Sequence, residues 1–339
     1  MLNKAIINLS ALKENALAVK KLLPKKTKFC AVVKADAYGH GGVECANALY
    51  NIADCFAVAL VEEGINLRLS GIDKEILVLT PVYPDDCELI IRYDLTATVC
   101  SFFQAQMLES VARGMEKAVK VHIKFNSGMN RQGVDSLLEL EQIASKFYKS
   151  EYVKICGLYS HFANPENKSA RRIAQNKFLL ANNCVKSYNK NIVCHISASG
   201  GMLSGVFYDM VRVGILLYGY KPFPTDKITV RPIMKILSPI LRERTIKEGE
   251  SALYGDFPSK KEQKLSLVRY GYADGLDRVA VDGQFNNRCM DVTAYTDPII
   301  EEGYAVVMEN AEVLARKYNT ISYEILTKSA MRAEKIYLR

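Results

Sequence analysis

The sequence has few histidines and lacks the motifs that histidine and cysteine form in metal sites. Its 339 residues include only 4 histidines and 9 cysteines, and no CxxC, HxH or HExxH pattern occurs. These absences argue against a bound metal and against a disulfide framework. An odd number of widely spaced cysteines is instead typical of a protein from a reducing compartment.

Long apolar runs and long charged runs are also missing. No stretch approaches the roughly 20 apolar residues of a membrane span, and no signal-peptide core follows Met1-Leu2-Asn3-Lys4. The formal charge of +8 is spread out, with short basic runs such as Lys25-Lys26 and Lys260-Lys261. We therefore expect a cytoplasmic protein with no membrane segment and no nucleic-acid partner.

Short apolar runs alternate regularly with helical patterns over residues 1–222. Strand-like runs begin near residues 29, 56, 75, 96, 119, 153, 192 and 210. Such alternation predicts parallel strands joined by right-handed crossovers. Eight strands at this spacing favour an α/β fold of the (β/α)8 barrel type over an open sheet, with functional groups at the carboxyl ends of the strands.

The first and last parts of the chain are read differently. Residues 5–9 resemble a strand, Ser10 is a good N-cap for a following helix, and the first few residues could pair with the C-terminal domain. Over residues 223–339 the helical periodicity fades, which predicts a second, mostly β domain. Strands are expected at 228–238, 240–244, 264–269 and 305–308, and a helix only at 309–317.

One block joins a strand to a turn through a lysine. Ala31-Val32-Val33 precede Lys34, and turn residues continue to Gly39-His40-Gly41. A lysine at the end of an apolar strand either reaches solvent or is used, for example in a Schiff base, because desolvation lowers the pKa of the amine. The whole block, AVVKADAYGHG at 31–41, resembles the lysine motif that holds pyridoxal 5'-phosphate in alanine racemases.

Further blocks extend this resemblance, in order, over residues 31–324. They are HIKFNSGMNRQG at 122–133, GLYSHF at 157–162, CHISASGG at 194–201, MVRVGI at 210–215, ALYG at 252–255, GYADG at 271–275 with Arg278, CMD at 289–291 and SYE at 322–324. The chain is thus similar to the alanine racemase family over nearly its whole length. The resemblance implies a homodimeric isomerase that interconverts L- and D-alanine with pyridoxal phosphate and supplies D-alanine for peptidoglycan.

The resemblance also assigns roles to the matched residues. The catalytic pair would be Lys34 and, from the second domain of the partner subunit, Tyr254, each acting on one face of the substrate Cα. The cofactor would be held by Lys34, Tyr38, His161, Ser199, Arg212, Gly214, Ile215 and Tyr323. Arg131 and Met290 would bind the substrate carboxylate, Tyr272 and Arg278 would line the entrance, and Lys124 matches a lysine that some members carry as a carbamate.

Several of these residues have plainer readings when taken alone. Arg212 could form a barrel ion pair, the strand-end histidines His40, His161 and His195 could be hydrogen-bonded core residues, and Ser199 with Gly200-Gly201 could be a plain turn. Tyr254 alone is only a strand-end tyrosine. It is the ordered set of blocks that favours a functional role.

Three alternatives stay open. A serine or broad-specificity racemase would use the same site, because such pockets discriminate poorly against one extra polar atom. A decarboxylase of the same fold type is expected to place a carboxylate, not Arg212, opposite the pyridine nitrogen. A single-barrel cofactor carrier would lack the second domain and Tyr254. Departures from the family pattern are Asn126, Asn130, Ala198 and a segment of ten residues between Arg278 and Cys289.

Overall fold

Eight parallel strands form a barrel in the first part of the chain. The structure, a computed structural model, describes residues 2–254, 258–278 and 288–339. The barrel strands are β2 (Lys28–Val32), β3 (Cys55–Val58), β4 (Ile76–Pro81), β5 (Thr96–Val99), β6 (Val119–Lys124), β7 (Val153–Tyr159), β8 (Val193–His195) and β9 (Met210–Val213). They pair in the order β8-β7-β6-β5-β4-β3-β2-β9. Arg212 N donates to Ser197 O at 3.0 Å and closes the gap between β8 and β9, which confirms the predicted barrel.

Helices connect the barrel strands. They are α1 (Leu9–Leu22), α2 (Lys34–Tyr38), α3 (Gly42–Leu49), α4 (Val61–Leu69), α5 (Cys87–Arg92), α6 (Phe102–Gly114), α7 (Leu137–Phe147), α8 (Lys168–Tyr188) and α9 (Ser199–Leu203). Side-chain oxygens cap several of them: Ser101, for example, accepts from Gln104 N at 3.2 Å. The expected cap at Ser10 is wrong. Asn8 caps α1, accepting from Ala11 N at 2.8 Å, because the helix begins immediately after the first strand.

A second sheet contains both ends of the described chain. Its strands are β1 (Lys4–Asn8), β10 (Met234–Ile246), β11 (Gln263–Val268), β12 (Thr293–Tyr295), β13 (Ile300–Glu301), β14 (Tyr304–Met308) and β15 (Glu334–Leu338). β1 pairs antiparallel with β10 and parallel with β15. The expected strands at 228–238 and 240–244 form one long strand, β10, which begins only at Met234. The division into two was wrong, because a register shift between Ile240 and Arg242 breaks the pattern within this single strand.

The described residues of the C-terminal part contain two α-helices where one was expected. α10 (Ala311–Lys317) matches the prediction, and α11 (Ser322–Ser329) was missed. Only Ile325, Leu326 and Ser329 of α11 are buried, and no side chain caps its start. The usual sequence signals of a helix are therefore weak there. Its position matters, because α11 packs against α2 beside Lys34.

A buried amide joins the two parts. Asn15, on α1, donates to Leu217 O at 3.0 Å and to Arg231 O at 2.9 Å, and its oxygen accepts from Arg231 N at 3.0 Å. Satisfied buried amides of this kind fix one arrangement of the chain. Across the described residues, no helix combines the length and apolarity needed to cross a bilayer.

Candidate active site

A cavity of about 1160 Å³ lies at the carboxyl ends of the barrel strands. Its walls include most of the residues singled out in the sequence: Lys34, Tyr38, Lys124, Arg131, His161, Ser199, Arg212, Gly214, Ile215 and Tyr323. These residues come from the carboxyl ends of several strands, from the segments that follow those strands, and from α11. The parallel barrel brings them together as expected. Four of them are cationic side chains, so the cavity is suited to an anionic ligand.

The segment after Lys34, which forms most of α2, is a left-handed turn and not a right-handed helix. Ala35, Asp36, Ala37 and Tyr38 have φ angles of 52°, 52°, 53° and 55°. This conformation costs about 1–2 kcal/mol per residue for L-amino acids, so surrounding contacts must hold it. Ala35 N donates to Glu63 Oε1 at 2.6 Å, and Gly42 N donates to Asp36 Oδ1 at 2.7 Å. The turn is short enough that Lys34 and Tyr38 both reach the cavity.

Sequence reasoning missed Glu63, which links two strand ends. Its Oε2 atom accepts from Ala59 N at 2.8 Å and Leu60 N at 3.1 Å, just after β3, while Oε1 holds the turn after β2. The signal was available. Glu63 follows the barrel strand next to that of Lys34, and neighbouring strand ends lie side by side.

Burial controls the charge of both cavity lysines. The pKa of Lys34 is lowered first by burial and then by Arg131 and Arg212, with Glu63 opposing the shift. Burial also lowers the pKa of Lys124 to about 8, with further lowering by Arg131 and Arg212, and its Nζ donates to Gln132 Oε1 at 2.8 Å. Both amines are therefore neutral more often than ordinary lysines, and a neutral amine is a nucleophile.

Arg212 is buried and held by several acceptors. Its Nη2 donates to Ser160 O at 2.7 Å and Ile196 O at 3.2 Å, and Nη1 contacts His195 Nδ1. His161 Nδ1 lies 3.2 Å from Nη2. Burial and then the charge of Arg212 lower the pKa of His161 to about 3, so this imidazole is neutral. The guanidinium is consequently fixed in one orientation.

A small cradle lies between Tyr38, Ser199 and Gly214. Gly214 N donates to Ser199 Oγ at 3.4 Å. A Cβ atom at Gly214 would lie 2.5 Å from Tyr38 Oη, so only glycine lets the hydroxyl approach this backbone. Hydroxyls and backbone N–H groups are common phosphate ligands, and this cradle follows barrel strands β8 and β9.

Four predicted site residues lie elsewhere on the chain. Tyr254, Met290 and Tyr272 are 71%, 54% and 37% exposed, and with Arg278 they lie outside the cavity wall. They belong to the C-terminal part, and a single chain does not bring them to Lys34. The shortened segment noted in the sequence falls largely on 279–287, outside the described residues.

Two other positions noted in the sequence, His40 and Ala198, differ in whether they reach the cavity. His40 is fully buried against Tyr218, with a ring separation of 4.6 Å, and does not reach the cavity. Ala198 lies in the cavity wall. Within the ranges that the structure describes, no group of three or more histidine, cysteine or acidic residues is arranged to hold a metal ion.

Comparison with known proteins decides the family. The family model described as alanine racemase, N-terminal domain, matches residues 7–222, and that for the alanine racemase C-terminal domain matches residues 233–337. The chain belongs to the alanine racemase family. This confirms the family that the sequence blocks indicated.

Individual relatives agree with this assignment over whole chains. An alanine racemase of Streptococcus pyogenes serotype M6 is 32% identical, covering 98% of this chain and 97% of the relative. Alanine racemase 2 of Clostridium acetobutylicum is 33% identical, covering 81% and 72%. Among solved structures, alanine racemase from Clostridium difficile 630 has a TM-score of 0.92 at 30% identity, covering 100% and 96%. One from Bacillus anthracis, with bound L-Ala-P, has a TM-score of 0.88 at 26% identity, covering 99% and 95%.

The residues of the cavity fit pyridoxal phosphate. The cradle suits its phosphate, Lys34 offers an amine of lowered pKa, and Arg212 offers a fixed donor. A decarboxylase of this fold type is expected to place a carboxylate opposite the ring nitrogen, whereas the fixed donor of this cavity is the guanidinium of Arg212. Pyridoxal phosphate is the cofactor of this family, and the donor chemistry of the cavity agrees with it.

Proposed function

We propose that this member of the alanine racemase family interconverts L-alanine and D-alanine with pyridoxal phosphate on Lys34, and supplies D-alanine for peptidoglycan. The observation that carries the proposal is the Lys34 amine of lowered pKa, placed in a cavity with three other cations. When bound, the cofactor withdraws electrons from the Cα of an attached amino acid and so makes its proton removable.

Racemisation requires one proton-transferring group on each face of Cα. Lys34 would remove or return the proton on one face, because burial keeps its amine neutral for part of the time. Tyr254 would act on the other. Its hydroxyl would be the group that carries the proton on that face.

Tyr254 would come from a partner subunit in a homodimer. It is 71% exposed and lies outside the cavity of its own chain. A large exposed side chain that the reaction needs is well placed to enter a neighbouring copy. We accordingly assign residues 1–222 to the domain that binds the cofactor and residues 223–339 to the domain that supplies Tyr254.

The other matched residues would bind and orient. Arg212 would face the ring nitrogen, and since arginine keeps its proton, it would leave that nitrogen unprotonated and restrain side reactions. Tyr38, Ser199, Gly214 and Ile215 would hold the phosphate, with Tyr323 beside them; the rings of Tyr38 and Tyr323 are 5.9 Å apart. His161 would support Arg212, being neutral next to it.

The remaining positions concern the substrate. Arg131 and the backbone N–H of Met290 would bind its carboxylate, and Arg131 would be oriented by a carbamate on Lys124. Tyr272 and Arg278 would line the entrance. Tyr323 narrows the cavity, which favours the methyl group of alanine over larger side chains.

The test is a chiral assay on purified protein with added pyridoxal phosphate. L-Alanine, L-serine and L-lysine are incubated separately, and each D-enantiomer is followed by chiral chromatography. D-Alanine formed well ahead of D-serine is the expected result. A lead for D-serine would reassign the substrate, and release of carbon dioxide without inversion would replace the racemase by a decarboxylase.

A further inference from the structure

Four side chains form a line through the interior of the barrel, from the cavity to its opposite end. Arg212 Nη1 contacts His195 Nδ1, and His195 Nε2 lies 3.0 Å from His122 Nδ1. His122 Nε2 lies 3.4 Å from Glu75 Oε1. The first three are almost completely buried, whereas Glu75 stands at the amino end of β4 with 32% of its side chain exposed. The line joins solvent at one end of the barrel to the site at the other.

The chemistry of arginine sets the direction of every hydrogen bond in this line. A guanidinium only donates, so His195 Nδ1 must accept and His195 carries its proton on Nε2. That proton is donated to His122 Nδ1, which leaves the His122 proton on Nε2, directed at the Glu75 carboxylate. Both imidazoles are neutral in this arrangement. For His195, burial and then the charge of Arg212 hold the pKa well below its ordinary value.

The packing around the two imidazoles is specific. A Cβ atom at Gly157 would lie 2.6 Å from the His122 ring, so glycine leaves the space that this ring fills. The rings of His195 and Tyr159 are parallel within 1°, with centroids 5.0 Å apart. Tyr159 also lies under the Arg212 guanidinium, whose carbon is 5.0 Å from the ring centroid. The rings therefore have little freedom to turn.

None of the hydrogen-bond partners of Arg212 among the described residues carries a negative charge, because all of them are carbonyls or neutral imidazoles. Glu75 is the carboxylate at the end of the line. The hydrogen bond from His122 lowers the pKa of Glu75 below its ordinary value, so it is ionised near neutral pH. Lys28, Lys120 and Cys156 also face Glu75, and the two lysines favour its ionised form.

We propose that Glu75 is a positioning residue, which acts through His122 and His195 to orient Arg212 towards the cofactor and to balance its buried charge. The proposal rests on the proposed function for the target of Arg212. It adds a residue that lies at the end of the barrel opposite the cavity. A carboxylate behind a histidine fixes the tautomer of the ring in metal sites, and here two rings in series have the same role.

The first experiment observes the histidines directly. Protein loaded with pyridoxal phosphate is labelled with ¹⁵N-histidine, and its four imidazoles are followed by NMR. His195 and His122 are expected as neutral Nε2–H tautomers. The chemical shift of the His122 Nε2 proton should be changed by its interaction with Glu75. In Glu75→Leu the His122 proton should lose its acceptor and exchange faster, and the His195 signals should move. An Nδ1–H tautomer of His195, or His122 signals unchanged in Glu75→Leu, would overturn the proposal.

The second experiment measures kcat and the absorbance of the bound cofactor, at the cavity end of the line. Glu75→Leu should lower kcat by on the order of tenfold, with little change in KM, and shift the absorbance of the bound cofactor. Glu75→Gln keeps a neutral acceptor, so it should keep the tautomers but show part of the absorbance shift. A Gln variant equal to wild type in absorbance and kcat would overturn the charge-balancing role.

Two further variants test the geometry of the line and the specificity of the effect. Gly157→Ala displaces the His122 ring without changing any acceptor, and should reproduce the absorbance shift. Glu109→Leu is the matched control: Glu109 is a half-buried carboxylate on α6 that accepts from Ser150 Oγ at 2.7 Å, away from the line, and should leave the cofactor spectrum unchanged. If the wild-type protein inverts no amino acid, the proposed function fails. The imidazole signals would still show whether Glu75 orients His122 and His195.

Discussion

Asp36 and Lys335 form an ion pair of 2.9 Å between the left-handed turn and β15, the last strand of the second sheet. Nearby, a Cβ atom at Gly39 would lie 2.5 Å from Leu326 O on α11, so the chain after Lys34 is in close contact with the C-terminal part. The C-terminal part of the chain therefore holds the turn that positions Lys34. It contributes to the cavity within its own chain through α11, apart from any residue it supplies to a partner.

The ion pair itself is expected to contribute little to stability. Lys335→Met should change the free energy of unfolding by less than about 1 kcal/mol, because the pair is partly exposed. Asp36→Ala should cost about 1–2 kcal/mol, since it removes the acceptor for Gly42 N and places alanine in the left-handed region. Asp36→Asn keeps an acceptor for Gly42 N and a residue type that tolerates the left-handed region, so it serves as the control. Urea unfolding measures all three, and equal losses in Asp36→Ala and Asp36→Asn would contradict this account.

Much of this arrangement could be predicted from the sequence, because strand ends of a parallel barrel converge. Lys34, Arg212 and Ser199 follow different apolar runs and meet at one cavity for that reason. The left-handed turn could not be predicted. Ala35 and Ala37 ordinarily prefer right-handed conformations, and the turn depends on Glu63 and Gly42, which lie outside it in sequence.

The line to Glu75 could not be predicted either. His122 alternates with apolar residues in β6, a pattern that indicates only an ordinary strand. Glu75 precedes β4 and looks like a solvated strand start. Their contact depends on the barrel register and on the space beside Gly157, which only the folded chain shows.

Gly214→Ala tests the phosphate cradle. The added Cβ would lie 2.5 Å from Tyr38 Oη and must displace that hydroxyl. Loss of one hydrogen bond to a charged phosphate should weaken the binding of pyridoxal phosphate by about tenfold or more. Gly114→Ala is the control, because a Cβ at that exposed helix end meets nothing within 4 Å. Titration of cofactor-free protein, followed by absorbance, gives both affinities; an unchanged affinity in Gly214→Ala would contradict the cradle.

The lowered pKa of Lys124 predicts a pH-dependent carbamate. Only the neutral amine reacts with carbon dioxide, releasing a proton, and a pKa of about 8 makes this form abundant as the pH rises from 7 to 9. An ordinary lysine, with a pKa of about 10.4, stays almost fully charged over this range. The ¹³C carbonyl signal of protein in ¹³C-bicarbonate should therefore grow with pH. It should be absent in Lys124→Ala and kept in Lys120→Ala, which changes an exposed lysine of the same strand.

A shared active site predicts complementation between two inactive variants. Lys34→Ala and Tyr254→Phe should each lose a proton-transferring group and fall in activity by about 10²–10⁴-fold. A mixed dimer would place both substitutions in one site and leave the other site intact. Equal mixing with free subunit exchange makes half of the dimers mixed, so about one quarter of wild-type activity should return.

The control for this experiment is Tyr83→Phe, which changes another exposed tyrosine. It should remain active alone. When it is mixed with Lys34→Ala, the activity should not exceed that of the Tyr83→Phe protein in the mixture. Chiral chromatography of alanine measures each mixture, and sedimentation confirms that subunits have exchanged. Activity that stays at the sum of the two variants after exchange would mean that Tyr254 serves the cavity of its own chain, or none. A return of about one quarter would place Tyr254 opposite Lys34 across the dimer, because no site within a single variant contains both side chains.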